Sequence, residues 1–439
     1  MSAVRRVLMV SPHFPPDTSA GAHRVRLLAP HLPHYGWEPT VVTVDARDYE
    51  GRLDPGLAEL VPADLRVMRC RAWPAQLTRW FGIGDLGLRA FSGLLRTCAR
   101  LLDNESFDAL FITIYPTYPA LLGPLLKRRF GVPFVLDYQD PWVGSWGLTV
   151  GGGRNGAPDW KSRLTRVVAQ RLEPLATHAA DAITAVSRGT CDAVLARDGA
   201  LAGRLCDTIP LGGEPADFDY LRAHPRRNPY FDPADGNLHV CYVGTLLPMG
   251  VETLQAVLRA AALLRACRPE LYRRLRLHFF GTSNQAVPEA AARVAPVAQQ
   301  MGVGECVTEV ASRIDYLDAL AVQTQATAVL LMGSSERHYT ASKLYPALLA
   351  TRPLLAVYHE ASSVVEILRR AARPPTVRLI AYDDAQRVGA CVEPLCAALE
   401  ALLAEPVYRS EDIDLTVLRE FSSQCLAGKL AAVLDAAAR

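Results

Sequence analysis

One short segment combines hydroxyl, aromatic and basic side chains between an apolar run and a helical pattern. It contains Tyr339, Thr340, Ser342 and Lys343. Thr340 or Ser342 can cap the helix, which would place Lys343 in its first turn. The helix dipole disfavours a cation there unless an anion is bound, so we predict a diphosphate site at these four residues. A solvated surface lysine is the alternative.

A second group of polar residues follows the apolar run at residues 134–136. Asp137 and Asp140 are three positions apart, so on one extended strand their side chains would point to opposite faces, and a paired acid–base dyad is not expected. We predict that Asp137 is a buried hydrogen-bonding residue. Asp140 would lie at the mouth of the strand, where it could orient an acceptor hydroxyl group or take its proton. Capping of a turn is the alternative role for Asp140.

Three loops contain glycines that suit close contact with a ligand. Gly21 lies between the first apolar run and a helical pattern, where backbone N–H groups could approach an anion or a sugar, with His23 and Arg24 nearby. An ordinary loop is the alternative. Gly244 ends an apolar run in the second half of the chain and also allows close backbone approach. The glycine-rich residues 149–156 are expected to form a lid over the acceptor site or a surface loop.

A nicotinamide-dependent dehydrogenase is a weaker interpretation. Asp45 closes the second apolar run, where such enzymes hold a ribose. However, the loop after the first run has no G-x-G-x-x-G sequence and is about ten residues too long. Metal chemistry is not indicated, because no cluster of metal ligands is evident in the sequence. We therefore expect neither a cofactor nor a metal.

Short aliphatic runs alternate with longer helical patterns along nearly the whole chain, which is typical of parallel sheets covered by helices on both faces. We predict an α/β fold with two Rossmann-like sheets facing each other across a cleft, since such sheets bind ligands beyond the carboxyl ends of their strands. The predicted strands are residues 7–10, 40–44, 65–69, 109–113, 134–137, 182–186, 239–243, 276–280, 307–310, 328–332, 354–358 and 377–381.

The predicted domain boundaries follow from a change of composition between the two series of strands. Residues 212–237 contain two adjacent glycines, four prolines and several charges, which is typical of an exposed connector. We therefore predict an N-terminal acceptor domain at residues 1–211, a linker at 212–237 and a C-terminal donor domain at 238–415. Residues 416–439 are expected to form a helix that packs back toward the N-terminal domain.

The composition limits the class of protein. Of the 439 residues, 50% are hydrophobic and 21% are charged, and the formal net charge is +2, which is typical of a globular protein without a global nucleic-acid-binding surface. Ten scattered cysteines without C-x-x-C spacing are expected to be reduced core thiols. No signal-peptide pattern follows the first residues, so we expect a cytoplasmic protein. Prolines interrupt the apolar residues 109–126, which predicts a strand and a helix there rather than a membrane span.

Residues 66–100 contain seven arginines and one acidic residue, Asp85, interleaved with Trp73, Trp80 and Phe81. One interpretation is contact with an anionic membrane surface, which would favour a lipid-linked saccharide as the acceptor. The other is an amphipathic helix whose leucines pack inward and whose arginines are solvated.

With these residues in view, the whole chain resembles the GT4-type retaining glycosyltransferases of the GT-B superfamily. The resemblance rests on the order of three motifs, namely the proline-rich loop that ends at Gly21, the D-x-x-D-P-W sequence at residues 137–142 and the Ser342-Lys343 pair. It implies two facing Rossmann-like domains, with Arg313 and Ile314 near the nucleobase of the donor. The donor phosphates would then be bound by Gly21, Ala22, Gly244, Thr245, Ser342 and Lys343.

Three positions depart from the family pattern. Pro346 stands where the family usually has a glutamate that binds the ribose, and we assign that role to Glu336 as a hypothesis. Met249 replaces a basic residue that is common after the first strand of the second domain. Gln139 replaces a histidine that is frequent at the end of the fifth strand.

The resemblance implies transfer of a hexosyl group from a nucleotide sugar to a saccharide, lipid-linked or small-molecule acceptor, with retention and without a metal. A nucleotide-sugar epimerase of the same fold and a non-catalytic nucleotide-sugar-binding relative are alternatives. We expect a role in polysaccharide synthesis in the cytoplasm or at the inner face of the membrane. The predicted catalytic residues are Asp140, Lys343 and Glu336, and the predicted acceptor-side residues are His23, Arg24 and Gln139.

Overall fold

The computed structural model describes residues 4–143, 160–283, 290–334 and 342–439. The predicted lid at residues 149–156 lies outside the described residues. So do three predicted site residues, Glu336, Tyr339 and Thr340.

The chain divides into two compact units, and each contains one parallel sheet with its helices. Unit 1 comprises Met1–Leu211 and Ser423–Arg439, and unit 2 comprises Gly212–Ser422. The prediction of an α/β fold with two Rossmann-like sheets is confirmed.

The sheet of unit 1 has seven strands in the order β3-β2-β1-β4-β5-β6-β7, and every pair is parallel. Successive residues of β1 face opposite sides, so that Leu8 and Val10 pack in one apolar core and Val7 and Met9 in another. The strands are β1 (Arg5–Val10), β2 (Trp37–Val44), β3 (Arg66–Cys70), β4 (Ala109–Ile114), β5 (Phe134–Tyr138), β6 (Ala182–Ala185) and β7 (Cys206–Thr208).

The helices of unit 1 follow the strands in the alternating manner that a parallel sheet requires. The first seven are α1 (Ala22–Leu28), α2 (Pro55–Glu59), α3 (Ala75–Thr78), α4 (Leu86–Asn104), α5 (Leu122–Phe130), α6 (Trp160–Thr177) and α7 (Arg188–Ala196). Short 3₁₀ helices are Ala29–Tyr35, Ala46–Asp48, Arg79–Phe81, Tyr118–Leu121 and Gly199–Leu201. The prediction for residues 109–126 is confirmed, because β4 leads into a 3₁₀ turn and α5.

The sheet of unit 2 has six parallel strands in the order β10-β9-β8-β11-β12-β13. Its central strand β8 is buried except at the carboxyl end, where Val243 is partly exposed. The strands are β8 (Leu238–Val243), β9 (Leu275–Phe280), β10 (Val307–Val310), β11 (Ala328–Met332), β12 (Leu354–His359) and β13 (Val377–Tyr382).

The helices of unit 2 again alternate with the strands. They are α8 (Pro215–Ala223), α9 (Val251–Cys267), α10 (Pro269–Arg274), α11 (Ala295–Gln300), α12 (Tyr316–Gln325), α13 (Leu344–Leu349), α14 (Ser363–Ala371), α15 (Val392–Ala404) and α16 (Leu415–Arg419). Short 3₁₀ helices are Pro248–Gly250, Gly304–Cys306, Val388–Cys391 and Ser410–Asp412. No helix in the described ranges has the length and apolar character needed to cross a membrane.

The predicted connector at residues 212–237 needs correction, because much of it is folded into unit 2. Phe218 and Leu221 of α8 are buried, and the buried Asp217 carboxylate accepts a hydrogen bond from the Tyr316 hydroxyl group at 2.8 Å. Sequence composition missed this helix because its polar residues outnumber the apolar ones that face the core.

The last helix, α17 (Ser423–Ala437), belongs to unit 1. Leu426 and Leu430 are fully buried in the core that contains Val7 and Met9. The Trp37 indole N–H donates to the Asp435 carboxylate at 2.8 Å. The C-terminal segment therefore closes one face of the sheet of unit 1.

The ten cysteines are free thiols, and most of them are buried. The prediction of core thiols is wrong for Cys267 and Cys425, which are exposed. Cysteine is small enough to lie on either side of an amphipathic helix, so its position cannot be predicted from residue type alone.

The strand orders indicate where ligands would bind. In each sheet the order of successive strands reverses beside the first strand, between β1 and β4 in unit 1 and between β8 and β11 in unit 2. Open parallel sheets bind ligands beyond the carboxyl ends of the strands at such a reversal. The loops after these four strands are therefore the candidate binding regions.

Candidate functional site

In unit 2, the structure brings together three of the predicted donor residues. The Lys343 ammonium group donates to the Tyr242 hydroxyl oxygen at 3.0 Å and to the Thr245 carbonyl oxygen at 3.1 Å. It also lies 4.9 Å from the centroid of the Tyr242 ring, an arrangement that favours a cation. The lysine side chain passes directly over Gly244. A positive charge is thus held at the carboxyl end of β8, beside the reversal of strand order.

Glycine is required at position 244 for two reasons. Its φ angle is 141°, a conformation that side chains with a Cβ atom rarely adopt. A Cβ atom there would also overlap the end of the Lys343 side chain. Gly244 therefore makes room for the lysine that crosses it.

The start of α13 differs from the prediction. The helix begins at Leu344, so Lys343 occupies the N-cap position and not the first turn. Ser342 is exposed, and the side chain of the N-cap residue Lys343 forms no capping hydrogen bond. The Lys343 ammonium group is positioned by one oxygen atom of β8 and one of the loop after it, and this geometry supports an anion site.

We predict that Gly244→Ala will weaken binding of a nucleotide sugar by about tenfold or more, because the new methyl group displaces the Lys343 ammonium group and weakens a charge-assisted contact. Isothermal titration calorimetry measures this change. Gly236→Ala is the matched control, since Gly236 also has a positive φ angle (83°) but has open space around it. Equal affinity of the two variants for the nucleotide sugar would contradict this role of Gly244.

The other predicted residues of unit 2 lie beyond the carboxyl ends of the strands, as Gly244 does. Arg313 and Ile314 follow β10 and are partly buried. The Gly281 N–H after β9 donates to the Val310 carbonyl at 2.8 Å, which holds the ends of the two strands together. Pro346 lies inside α13 and is also partly buried.

In unit 1, the structure contradicts the acceptor-side prediction for Arg24. The residue is 1% exposed and forms a bidentate ion pair with Asp137. Its Nε atom donates to Oδ2 at 2.9 Å, and its Nη2 atom donates to Oδ1 at 2.6 Å. Its Nη1 atom donates to the Ile209 carbonyl at 2.6 Å. The Thr184 hydroxyl group also donates to Asp137, at 2.7 Å. Arg24 therefore ties α1 to β5 inside the core, and Asp137 is the buried hydrogen-bonding residue that the sequence predicted.

The region around Gly21 is closely packed. A Cβ atom at this position would overlap the Tyr115 ring, so the loop needs glycine for packing as well as for any ligand. Ala22 is fully buried at the start of α1. His23 is partly exposed and lies 3.4 Å from the Arg26 guanidinium group through its Nδ1 atom.

The loop after β1 contains a histidine–aspartate pair that was not predicted from the sequence. His13 Nδ1 forms a short hydrogen bond with Asp17 Oδ2, and the Ser19 hydroxyl group donates to the same carboxylate oxygen at 2.6 Å. Burial raises the pKa of Asp17, but the hydrogen bonds from His13 and Ser19 outweigh this effect and lower its pKa below 3.8. The His13 ring also lies against Tyr115, with ring centroids 5.4 Å apart.

This pair orients the imidazole ring. With Nδ1 donating to the carboxylate, Nε2 keeps a lone pair. Nε2 has no hydrogen-bond partner in the described part of the chain, and the His13 side chain is 17% exposed. A nitrogen base held by a carboxylate and open to solvent can accept a proton from a bound hydroxyl group. The spacing His-x-x-x-Asp after the first strand was the signal available in the sequence.

Gln139 and Asp140 follow the carboxyl end of β5, just as the loop that contains His13 follows the carboxyl end of β1. Asp140 is exposed, but protein around it partly desolvates the carboxyl group and raises its pKa above 3.8. The Gln139 amide nitrogen is buried and has no hydrogen-bond partner within the described ranges. Such a donor is satisfied when a ligand or a water molecule supplies an oxygen atom.

Comparisons with known proteins agree with this architecture. Residues 19–212 match the family described as Glycosyl transferase 4-like domain, which covers most of unit 1 and less than half of the chain. No curated protein sequence matches the chain.

Solved structures match over nearly the full length. A UDP-forming alpha,alpha-trehalose-phosphate synthase from Burkholderia xenovorans has a TM-score of 0.60 at 13% identity, covering 99% of both chains. A glycosyltransferase from Rickettsia africae has a TM-score of 0.57 at 12% identity, covering 99% of this chain and 98% of its own. The N-terminal domain of a Candida albicans trehalose-6-phosphate phosphatase has a TM-score of 0.60 at 13% identity, covering 98% and 96%. The fold is thus that of GT-B glycosyltransferases, and the family match supports glycosyl transfer.

Proposed function

We propose that the protein transfers a glycosyl group from a nucleotide sugar to a hydroxyl group of an acceptor. The observation that carries the proposal is the Lys343 ammonium group held over Gly244 at the reversal of strand order in unit 2. A fixed cation beside a glycine backbone is suited to a diphosphate. The similarity of residues 19–212 to a glycosyl transferase domain supports the same reaction.

In the proposed reaction, the bond between the anomeric carbon and the diphosphate oxygen breaks, and the diphosphate leaves with the electron pair. The acceptor oxygen forms a bond to the anomeric carbon and loses its proton. Lys343 would stabilise the negative charge that develops on the leaving group. The Gly244 and Thr245 backbone, Ser342, Tyr339 and Thr340 would bind the phosphates, as the family resemblance implies.

For the nucleoside part of the donor, we propose that Arg313 and Ile314 lie near the base. Glu336 remains the proposed ribose ligand, because Pro346 has no side-chain oxygen to bind a hydroxyl group. Gly21 and Ala22 remain proposed phosphate contacts by resemblance.

For the acceptor, we propose that unit 1 binds the hydroxyl group and that His13 takes its proton. The support is the Asp17 carboxylate, which fixes the imidazole tautomer, and the open Nε2 atom. Asp140 and Gln139 would orient the acceptor by hydrogen bonds, and His23 would line the same region.

Replacement of Asp17 by asparagine tests the proton acceptor. The amide nitrogen of the variant can donate to His13 Nδ1, which moves the imidazole hydrogen to Nε2 and removes the base. We expect turnover to fall about 100-fold, with the affinity for the nucleotide sugar unchanged. His13→Gln should lower turnover to a similar extent, because the glutamine side chain has no basic nitrogen. Ser19→Ala removes a different contact of the Asp17 carboxylate and should retain most of the activity.

Two finer features of the proposal come from the resemblance. Transfer is proposed to proceed with retention at the anomeric carbon, which NMR spectroscopy of the first product formed would show directly. Metal independence is also proposed, and turnover that is unchanged by a chelator is the expected result. A product with inverted configuration would contradict retention, but it would still support glycosyl transfer.

The decisive experiment is a panel of nucleotide sugars, beginning with UDP sugars, tested by calorimetry and then by product analysis with and without acceptors. Glucose 6-phosphate is a reasonable first acceptor, since a structure of a similar Burkholderia xenovorans synthase contains it. Transfer to an acceptor supports the proposal. An isomerised sugar nucleotide without acceptor would show an epimerase, and binding without turnover would show a non-catalytic relative.

A further inference from the structure

Four large apolar side chains are exposed on one short segment of unit 1, which we call the aromatic platform: Trp73, Leu77, Trp80 and Phe81. Trp80 is 89% exposed and Phe81 is 83% exposed, and the other two are more than half exposed. Trp73 lies between β3 and α3, Leu77 lies in α3, and Trp80 and Phe81 lie in the 3₁₀ helix that follows. Exposed apolar side chains in such a cluster mark a surface that contacts another apolar phase.

The base of the platform is held by a buried arginine. Arg89 of α4 is 2% exposed, and its Nη1 atom donates to the Trp73 carbonyl at 2.9 Å. The Trp73 N–H donates in turn to the Arg89 carbonyl at 3.0 Å. A third hydrogen bond joins Arg89 Nη2 to the Asp48 carbonyl at 3.2 Å. These bonds fix the segment in place while its aromatic rings remain in solvent.

Helix α4 itself is not the docking element. Ala90, Leu94, Cys98 and Leu101 are buried in the core of unit 1, as the interpretation of an amphipathic helix expects. The expectation that its arginines are solvated is wrong for Arg89, which is buried. The exposed apolar surface of residues 66–100 is concentrated on the platform instead.

Two exposed cations lie on α4, the helix whose Ser92 contacts the platform. The Trp73 indole N–H donates to the Ser92 hydroxyl group at 3.2 Å, and Arg96 Nε donates to the Ser92 carbonyl at 3.1 Å. Arg100 follows one helical turn later. Arg96 and Arg100 are exposed, and neither has a carboxylate partner among the described residues. Their charge is therefore available to an anionic partner.

We propose that the aromatic platform docks unit 1 on an anionic lipid surface. Tryptophan and phenylalanine rings enter the interfacial region of a bilayer, where the indole N–H stays hydrated. Arginines beside them meet lipid phosphate groups. The combination of exposed aromatic rings with unpaired cations fits a lipid surface better than a protein surface, which would require shape complementarity and matching carboxylates.

The strand that leads into the platform is hydrogen-bonded to the proposed acceptor loop. Arg69 at the end of β3 donates from Nη2 to the Pro15 carbonyl at 3.1 Å, in the loop that also contains His13 and Asp17. Resting on the proposed function, docking would therefore bring this loop to the membrane surface, where a lipid-linked acceptor presents its sugar.

Vesicle co-sedimentation of the full chain tests the docking directly, whatever reaction the protein catalyses. The probes are vesicles of phosphatidylglycerol and phosphatidylcholine in equal parts, and vesicles of phosphatidylcholine alone. We expect preferential binding to the anionic vesicles. Trp80→Ala/Phe81→Ala should weaken it by about tenfold or more, and Arg96→Gln/Arg100→Gln by about fivefold for each charge removed.

The matched control is Leu175→Ala/Arg188→Gln, which removes an exposed leucine and an exposed arginine elsewhere on unit 1 and should bind as the unmodified protein does. Absence of vesicle binding, or equal binding by all variants, would overturn the proposal. Light scattering that shows a dimer abolished by Trp80→Ala/Phe81→Ala would also overturn it, since the platform would then be an interface between copies of the chain. Failure of glycosyl transfer would leave the docking result unaffected.

Discussion

Lys343→Met is expected to lower the rate of glycosyl transfer by about 100-fold to 1,000-fold, the effect of removing one group that stabilises a developing negative charge. Methionine has a similar length and keeps the apolar contact over Gly244, but it has no charge. The Lys343 ammonium group is held 3.1 Å from the Thr245 carbonyl oxygen and 3.0 Å from the Tyr242 hydroxyl oxygen, so its position is fixed before a ligand binds. Steady-state kinetics measures the loss of rate, and calorimetry with the same nucleotide sugar measures the change in donor affinity.

A matched control separates this effect from a general loss of charge. Lys429 is exposed on α17, and Lys429→Met should leave binding and turnover unchanged. Circular dichroism should show the same unfolding for both variants, because Lys343 is only partly buried. Near-normal transfer by Lys343→Met would contradict the proposed donor site, even if the protein proved to be a glycosyltransferase with another phosphate ligand.

The fold could be predicted from the sequence because a buried parallel strand is a short aliphatic run and little else resembles it. Each predicted strand coincides with an observed one, with its ends displaced by at most three residues. The strand that was missed, β7, has only the three residues Cys206–Thr208, and all are partly exposed. Such a strand forms because β6 offers an unpaired edge, and its own residues carry no pattern.

The site could be predicted only in part, for a related reason. Gly244 was predicted from its place after an apolar run, Lys343 from its place before a helical pattern and Thr245 from the family resemblance, and the structure brings these three residues together. Their role in donor binding stays a prediction. Arg24 was misassigned, since a charged residue after a glycine loop gives no sign that a buried carboxylate on a distant strand will pair with it. The pair of His13 and Asp17 was missed because loop conformation, which brings the two side chains together, has no periodicity to detect.

Arg24→Met is expected to destabilise unit 1 by about 3–5 kcal/mol, because it leaves the Asp137 carboxylate charged and buried without its partner. The pair is almost completely inaccessible, with Arg24 1% exposed and Asp137 0% exposed. The change also leaves the Ile209 carbonyl without the guanidinium donor. Urea denaturation monitored by hydrogen–deuterium exchange of β1, β5 and β6 peptides measures the loss within unit 1, where a whole-chain signal would mix both units.

The double variant Arg24→Met/Asp137→Leu should recover much of this stability, since it replaces both charged side chains by apolar ones and leaves no unpaired carboxylate in the core. Arg188→Met is the surface control, because Arg188 pairs with Asp192 in solvent and such pairs contribute about 0–1 kcal/mol. If Arg24→Met retained full stability but lost acceptor binding, the buried ion pair would be incidental and Arg24 would contact the acceptor. The geometry favours a loss of stability, because four of the five guanidinium N–H donors of Arg24 are used inside the core and the side chain is 1% exposed.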